Sequence, residues 1–143
     1  MKKDNQNSQI IIYQSDDGKI SVDTLMKDEN LWLSQKSMAQ LFDCTPENII
    51  IHLKNVYETG EINEKATTKD FLVVQKEGSR EVNRNIKHYN LDAIISVGYR
   101  VNSLRGTQFR IWATQRLKEY LLQGFTLNEE KLKYGKTTEY FDK

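Results

Sequence analysis

The chain has one cysteine, one proline, two histidines and seven glycines in 143 residues, and its formal net charge is +1. Each scarcity excludes something. A single cysteine, Cys44, forms no intramolecular disulfide, which suits a reducing compartment and points to the cytoplasm. Two histidines and one cysteine, spread over His52, His88 and Cys44, show no metal-ligand spacing, so no metal is expected. Gly98 and Gly106 stand alone, so there is no glycine-rich phosphate loop. A near-neutral balance gives no global attraction to nucleic acid, and any such attraction must come from local clustering. No apolar run approaches the roughly 20 residues that span a bilayer. The three isoleucines after the polar start are too few for a signal-peptide core, so we expect neither leader nor membrane. No nucleophile or acid–base constellation stands out, and neither enzyme activity nor a cofactor is expected.

Present instead are 38% hydrophobic and 29% charged residues, a balance suited to one globular domain with a real core. Residues 1–8 are polar and expected to be disordered, 9–126 to form the domain, and 127–143 to be a linker or tail. The stretch Ser34–Tyr57 organises the rest. Ser34 suits an N-cap, and Met38, Leu41 and Phe42 recur at helical spacing. Asp43-Cys44-Thr45 breaks that pattern. Thr45 is a second N-cap, and Pro46 sits at a first helical position, where its missing N–H costs nothing. Ile49, Leu53, Val56 and Tyr57 then share one face, and Gly60 suits the helix end. This is the layout of a helix-turn-helix, and equally of an ordinary helical hairpin.

Alternating apolar residues predict hairpins on both sides of the pair. Ile10–Tyr13 and Ile20–Thr24 form the first, around Asp16-Asp17-Gly18. Phe71–Val74 and Arg80–His88 form the second, around Glu77-Gly78-Ser79, which reads as plain sheet or as a wing. Leu31-Trp32-Leu33 reads as extended. Asn90 caps a helix from Leu91 to about Val97, closed by Gly98. A longer helix from about Arg105 to Gln123 turns Phe109, Trp112, Ala113, Leu117, Tyr120 and Leu121 inward, and Gly124 ends it. The fold class expected is α+β: a helix-turn-helix flanked by β-hairpins, winged-helix-like, with a long C-terminal helix.

In that fold Thr45, Asn48 and Ile51 face base edges, because asparagine bonds adenine bidentately and an exposed isoleucine can meet a thymine methyl. Gln35, Lys36, Lys54 and Asn55 face phosphates. Arg100, Asn102, Arg105 and Gln108 gather at a helix start, where free N–H groups and arginine forks favour an anion. Intramolecular pairing of these arginines is the competing reading. Ile51 on a polar face can also mark a protein contact, so the alternative to binding duplex DNA is a protein-interaction or dimerisation module, as a homodimer or as a tether for a C-terminal effector domain absent here.

Four blocks carry a family resemblance. They are Leu31-Trp-Leu-Ser-Gln with Met38-Ala-Gln-Leu-Phe, Asn48-Ile with His52-Leu-Lys-Asn, Tyr89 through Asn102, and Arg105 through Thr114. Over about residues 10–130 the chain resembles the virulence RhuM family, and more loosely the Bro-N type of phage antirepressor domain. The resemblance implies the N-terminal, DNA-binding-type domain of a longer protein. Some related proteins carry a Fic or Doc-type catalytic domain, but the His-Pro-Phe and Gly-Asn-Gly stretch of that activity is missing here. It supplies no catalytic residues.

Overall fold

The first hairpin is fixed by its turn. Ser15 Oγ donates to Asp17 Oδ1 at 2.6 Å, the Lys19 N–H donates to the same oxygen at 2.9 Å, and Gly18 takes φ +74°. Strands β1 (Gln9–Gln14) and β2 (Ser21–Lys27) pair antiparallel on either side. Asp28 and Glu29 both take positive φ, which lets β3 (Asn30–Ser34) turn straight back onto β2. The computed structural model describes residues 9–134, with side chains up to Leu122. The expectations for residues 1–8 and 135–143 lie outside the described residues.

Helix α1 (Gln35–Phe42) starts where β3 ends, its Ser34 cap accepting from the Ser37 N–H. Asp43 takes φ +57° and stops it. Thr45 caps α2 (Pro46–Glu58) by accepting from the Asn48 N–H at 3.1 Å, and Gly60 follows at φ +77°. A single helical turn, α3 (Glu64–Thr67), follows. Asn63 caps it, and Thr67 anchors it by bonding Tyr57 Oη at 3.0 Å. Strands β4 (Thr68–Glu77) and β5 (Arg80–Asn90) follow around Gly78, then α4 (Leu91–Val101) and α5 (Ser103–Tyr134).

The architecture is α+β. Among the described residues, five antiparallel strands form one sheet in the order β1-β2-β3-β5-β4, and five helices accompany it. The helices cover one face. Leu31 and Leu33 from the sheet meet Met38, Leu41, Phe42, Ile49, Ile94, Val97 and Phe109 there, each 2% exposed or less. Burying each of these large side chains contributes on the order of 1.5–3 kcal/mol. A smaller, separate cluster joins Leu25, Trp32 and Phe71. Strand β5 pairs with β3 only at His88–Asn90, while its pairing with β4 runs on to the Gly78 turn. The β4–β5 hairpin is therefore two-stranded for most of its length, an arm of roughly 25 Å.

Two glycines behave differently from their expectation as stops. Gly98 lies inside α4, because a side chain there would collide with Phe42 and with the Gly106 backbone of α5. Here glycine serves a close helix crossing. Gly124 lies inside α5, which runs to Tyr134. A lone helical glycine costs only about 1 kcal/mol, and it carries none of the proline chemistry that breaks a helix.

Candidate nucleic-acid interface

Helix α2 has one covered and one open side. Ile49, Leu53 and Val56 are buried against α1 and α4, while Glu47, Asn48, Ile51, Lys54 and Asn55 are exposed. Asn48, Ile51 and Asn55 stand in one row at helical spacing, with Lys54 beside them. Thr45 is exposed at the N-terminal end of that row; its oxygen accepts in the cap and its hydroxyl hydrogen remains available to donate. Ile51 is 56% exposed, as its place on the polar face required. Ile50 is 48% exposed and edges a shallow cleft with Leu53 and Tyr57.

The residues near the start of α1 diverge. Gln35 borders that cleft beside Lys54 and Tyr57. Lys36, one position on, turns toward the opposite side and lines a groove with Ser37 and Gln40. A residue step rotates a helix by about 100°, so neighbours in sequence serve different surfaces.

The basic cluster at α4–α5 is divided in the same way. Arg100 Nη2 donates to Glu61 Oε1 at 2.9 Å, just beyond the C-terminal end of α2. At about 1.5 Å per residue, the length of α2 separates that guanidinium from Thr45 by roughly 20 Å. Asn102 joins the two helices: its N–H donates to the Gly98 carbonyl at 2.8 Å and its Oδ1 accepts from the Arg105 N–H at 3.2 Å. Arg105 then faces the first hairpin. Its charge helps hold Asp17 below the usual carboxylate range, after the hydrogen bonds from Ser15 and Lys19. It also opposes the upward shift of the Tyr13 phenol, which is caused mainly by burial and secondarily by Asp16. Gln108 lies half-buried on the next turn. Arg100 and Arg105 thus belong to two edges of the domain, and the paired-arginine reading holds for Arg100.

Cys44 is half-buried at the helix turn, and burial, with Asp43 beside it, pushes its thiol up and away from the reactive thiolate. Among the described residues no group of three or more His, Cys, Asp or Glu is placed to hold a metal ion. Among them, too, no helix is long and apolar enough to cross a membrane.

The pattern of the Virulence protein RhuM family matches residues 66–143, more than half of the chain. The chain belongs to that family. No curated protein and no solved structure matches it. The RhuM match begins within α3, so it takes in the arm, α4, α5 and Arg100, Asn102, Arg105 and Gln108, and leaves β1–β3 and the helix pair outside.

This RhuM chain also has a groove that the sequence did not disclose. It holds about 1080 Å³ between β2, the base of the arm and Lys36, Ser37 and Gln40 of α1. Phe71 is its centre: Trp32 and His88 meet the ring edge-on at 5.3 Å each, and the ammonium groups of Lys27 and Lys69 stand over it at 5.7 and 5.6 Å. Burial holds His88 below the ordinary imidazole value, while its Nδ1 lies 2.8 Å from the Ile86 carbonyl. The signal for this cluster was the alternation in β4, which places Phe71 and Val73 on one face and Leu72 and Val74 on the other.

Proposed function

We propose that this RhuM-family domain binds duplex DNA in the cytoplasm, as a regulatory module that acts by binding rather than by catalysis. The observation that carries the reading is the open face of α2. Thr45, Asn48, Ile51, Lys54 and Asn55 lie along it uncovered, on a helix whose other side is locked into the core. The wiring supports it as well. Strand β3 leads into α1 and α2, the chain returns through β4 and β5, and the strands lie in the order β3-β5-β4. That order supports a winged helix-turn-helix reading, in which α2 would be the reading helix and the β4–β5 arm the wing. Thr45 and Asn48 reach base edges near the N-terminus of α2, and Lys54 holds a phosphate.

Fluorescence anisotropy with mixed-sequence duplexes at low salt tests this. The expected result is binding that weakens as salt rises, and Lys54→Ala lowers the salt slope by about 0.9. No binding at tens of micromolar, or binding indifferent to Lys54 and Asn48, refutes it. A second reading, a protein-interaction module, is favoured by Ile50 and Ile51 on α2 and by Leu72 and Val74 on the arm, the last two 62% and 64% exposed. Ile51→Ala separates the two: it weakens a protein contact, and because it changes no charge it leaves a phosphate-driven salt slope in place.

A further inference from the structure

Strand β4 ends the sheet, and its outer edge is unguarded. Its register with β5 runs from Thr68 opposite Tyr89 to Glu77 opposite Arg80 without a bulge, and the strand contains no proline. Glu77 and Arg80 flank a two-residue turn. The odd-numbered residues of β4 therefore bond β5, and the even-numbered ones aim their N–H and C=O groups outward. Sheet edges are ordinarily protected by bulges, proline or charge. The free edge of β5 is protected in that way by Arg80, Glu81, Arg84 and Lys87. The middle of β4, from Phe71 to Gln75, has no charge, and Leu72 and Val74 there are exposed. Alternation puts both on the face that also carries Asp70 and Lys76. In the hairpin register Asp70 stands opposite Lys87, and Lys76 opposite Glu81. Among the described residues neither Asp70 nor Lys76 makes an ion pair, and Lys87 bonds Glu64 instead at 2.9 Å.

We propose that β4 pairs antiparallel with β4 of a second copy of the chain, about a two-fold axis at Val73, so that the two sheets join into one. The outward backbone groups allow only registers that set even-numbered residues against even-numbered ones. Among these, centring on Val73 sets Asp70 against Lys76 of the second copy and Leu72 against Val74, and the axis repeats both pairs. Centring on Leu72 would put Asp70 against Val74, and centring on Val74 would put Leu72 against Lys76. The Val73 register also continues the alternation of charge across the joined sheet. Lys87 and Asp70 of one copy are followed by Lys76 and Glu81 of the other. Parallel strands in register would stack Asp70 on Asp70 and Lys76 on Lys76. Lys69 and Glu77, on the opposite face, keep their bonds to Asp28 and Arg84. At its ends the ladder sets Thr68 against Gly78, so the α3 turn of each copy lies just past the tip of the other arm. No residue of α2 takes part, and the pairing stands whether or not that helix reads DNA.

Sedimentation equilibrium on the full chain, with melting curves beside it, tests the pairing. The wild type is expected to associate reversibly to a dimer. Asp70→Lys sets lysine against lysine twice across the axis, and Lys76→Glu sets acid against acid twice. Each should raise the dissociation constant about 30-fold. Both positions are exposed, so each variant monomer should melt close to the wild type. Mixed in equal amounts, the two variants should associate with each other at near the wild-type level, because opposite charges then meet at both contacts. That recovery distinguishes the Val73 register from other pairings and from a loss of folding. A chain that stays monomeric at about 100 μM overturns the proposal. So does a dimer that neither variant weakens, or a mixture that associates no better than its components.

Discussion

The Gly98 crossing is where the helices that position the α2 surface are most exposed to a small change, and Gly98→Ala measures how tight it is. A Cβ built at Gly98 comes 2.8 Å from Phe42 Cζ, 2.9 Å from Phe42 Cε1 and 3.1 Å from the Gly106 Cα. Two of these contacts are with a ring that is itself 2% exposed and walled in by the core, and the third is backbone. Neither neighbour can yield cheaply. Overpacking costs about 1–3 kcal/mol, and with two contacts under 3.0 Å the upper part of that range, about 2–3 kcal/mol, applies here, while alanine recovers about 1 kcal/mol through its better helix propensity. The balance is a net loss of about 1–2 kcal/mol, which moves a urea midpoint down by roughly 0.5–1 M with the slope unchanged. The cause is checked by adding Phe42→Leu, which removes the ring atoms in question. The double variant should be more stable than the sum of the single effects by about 1 kcal/mol. If Gly98→Ala is neutral or stabilising, propensity alone governs the site and the crossing is looser than these distances require. Additive single effects would show that Phe42 is not the obstacle.

Other residues make separate demands. Asn90 is buried and its Oδ1 accepts the Ala93 N–H at 3.2 Å, so Asn90→Ala should cost about 1–2 kcal/mol in denaturant unfolding. Phe71→Ala empties the cluster at the base of the arm and should cost about 3 kcal/mol, and proteolysis should then cut preferentially in β4 or β5. His88 is held neutral in the folded state, below its ordinary value of 6.5. The unfolded chain therefore binds more protons as pH falls through 6.5, and stability should decline from pH 7 downward until the folded-state value is passed. His88→Gln should flatten that part of a midpoint-against-pH curve. Arg84 and Glu77 join through two 2.8 Å bonds on the exposed arm, so Arg84→Ala should change stability by less than about 1 kcal/mol.

What the sequence discloses is what local chemistry decides. Ser34, Thr45 and Asn90 cap helices because a side-chain oxygen next to free N–H groups suffices. Gly18, Gly60 and Gly78 take positive φ where turns or helix ends were expected. Hydrophobic spacing likewise identified the buried side of α2 and most of the inner side of α5, with Leu121 the exception at 49% exposure. What stayed hidden depends on elements distant in sequence. Gly98 reads as a stop until Phe42, more than fifty residues earlier, is seen against it. Arg100 and Arg105 read as one cluster until the bend at Asn102 sends one to Glu61 and the other to the first hairpin. The Leu25–Trp32–Phe71 cluster draws one residue from each of three strands, and no local window contains it.

The division of the two arginines bears on how such a domain could hold DNA. The open face of α2 offers Lys54, and against it stand the exposed acids Glu47 and Glu58. Lys36 lines the groove at the base of the arm, and Arg100 is partly neutralised by Glu61. A duplex bound by one copy would release few counterions, and its affinity would be weak and only shallowly dependent on salt. The salt slope therefore reports which side chains would reach a duplex. One phosphate contact from Lys54 gives a slope of about −1, and Lys54→Ala should abolish it. A slope steeper than about −3 would mean that Arg100 or Arg105 reaches the duplex too, and the division of the basic residues between two edges of the domain would fail.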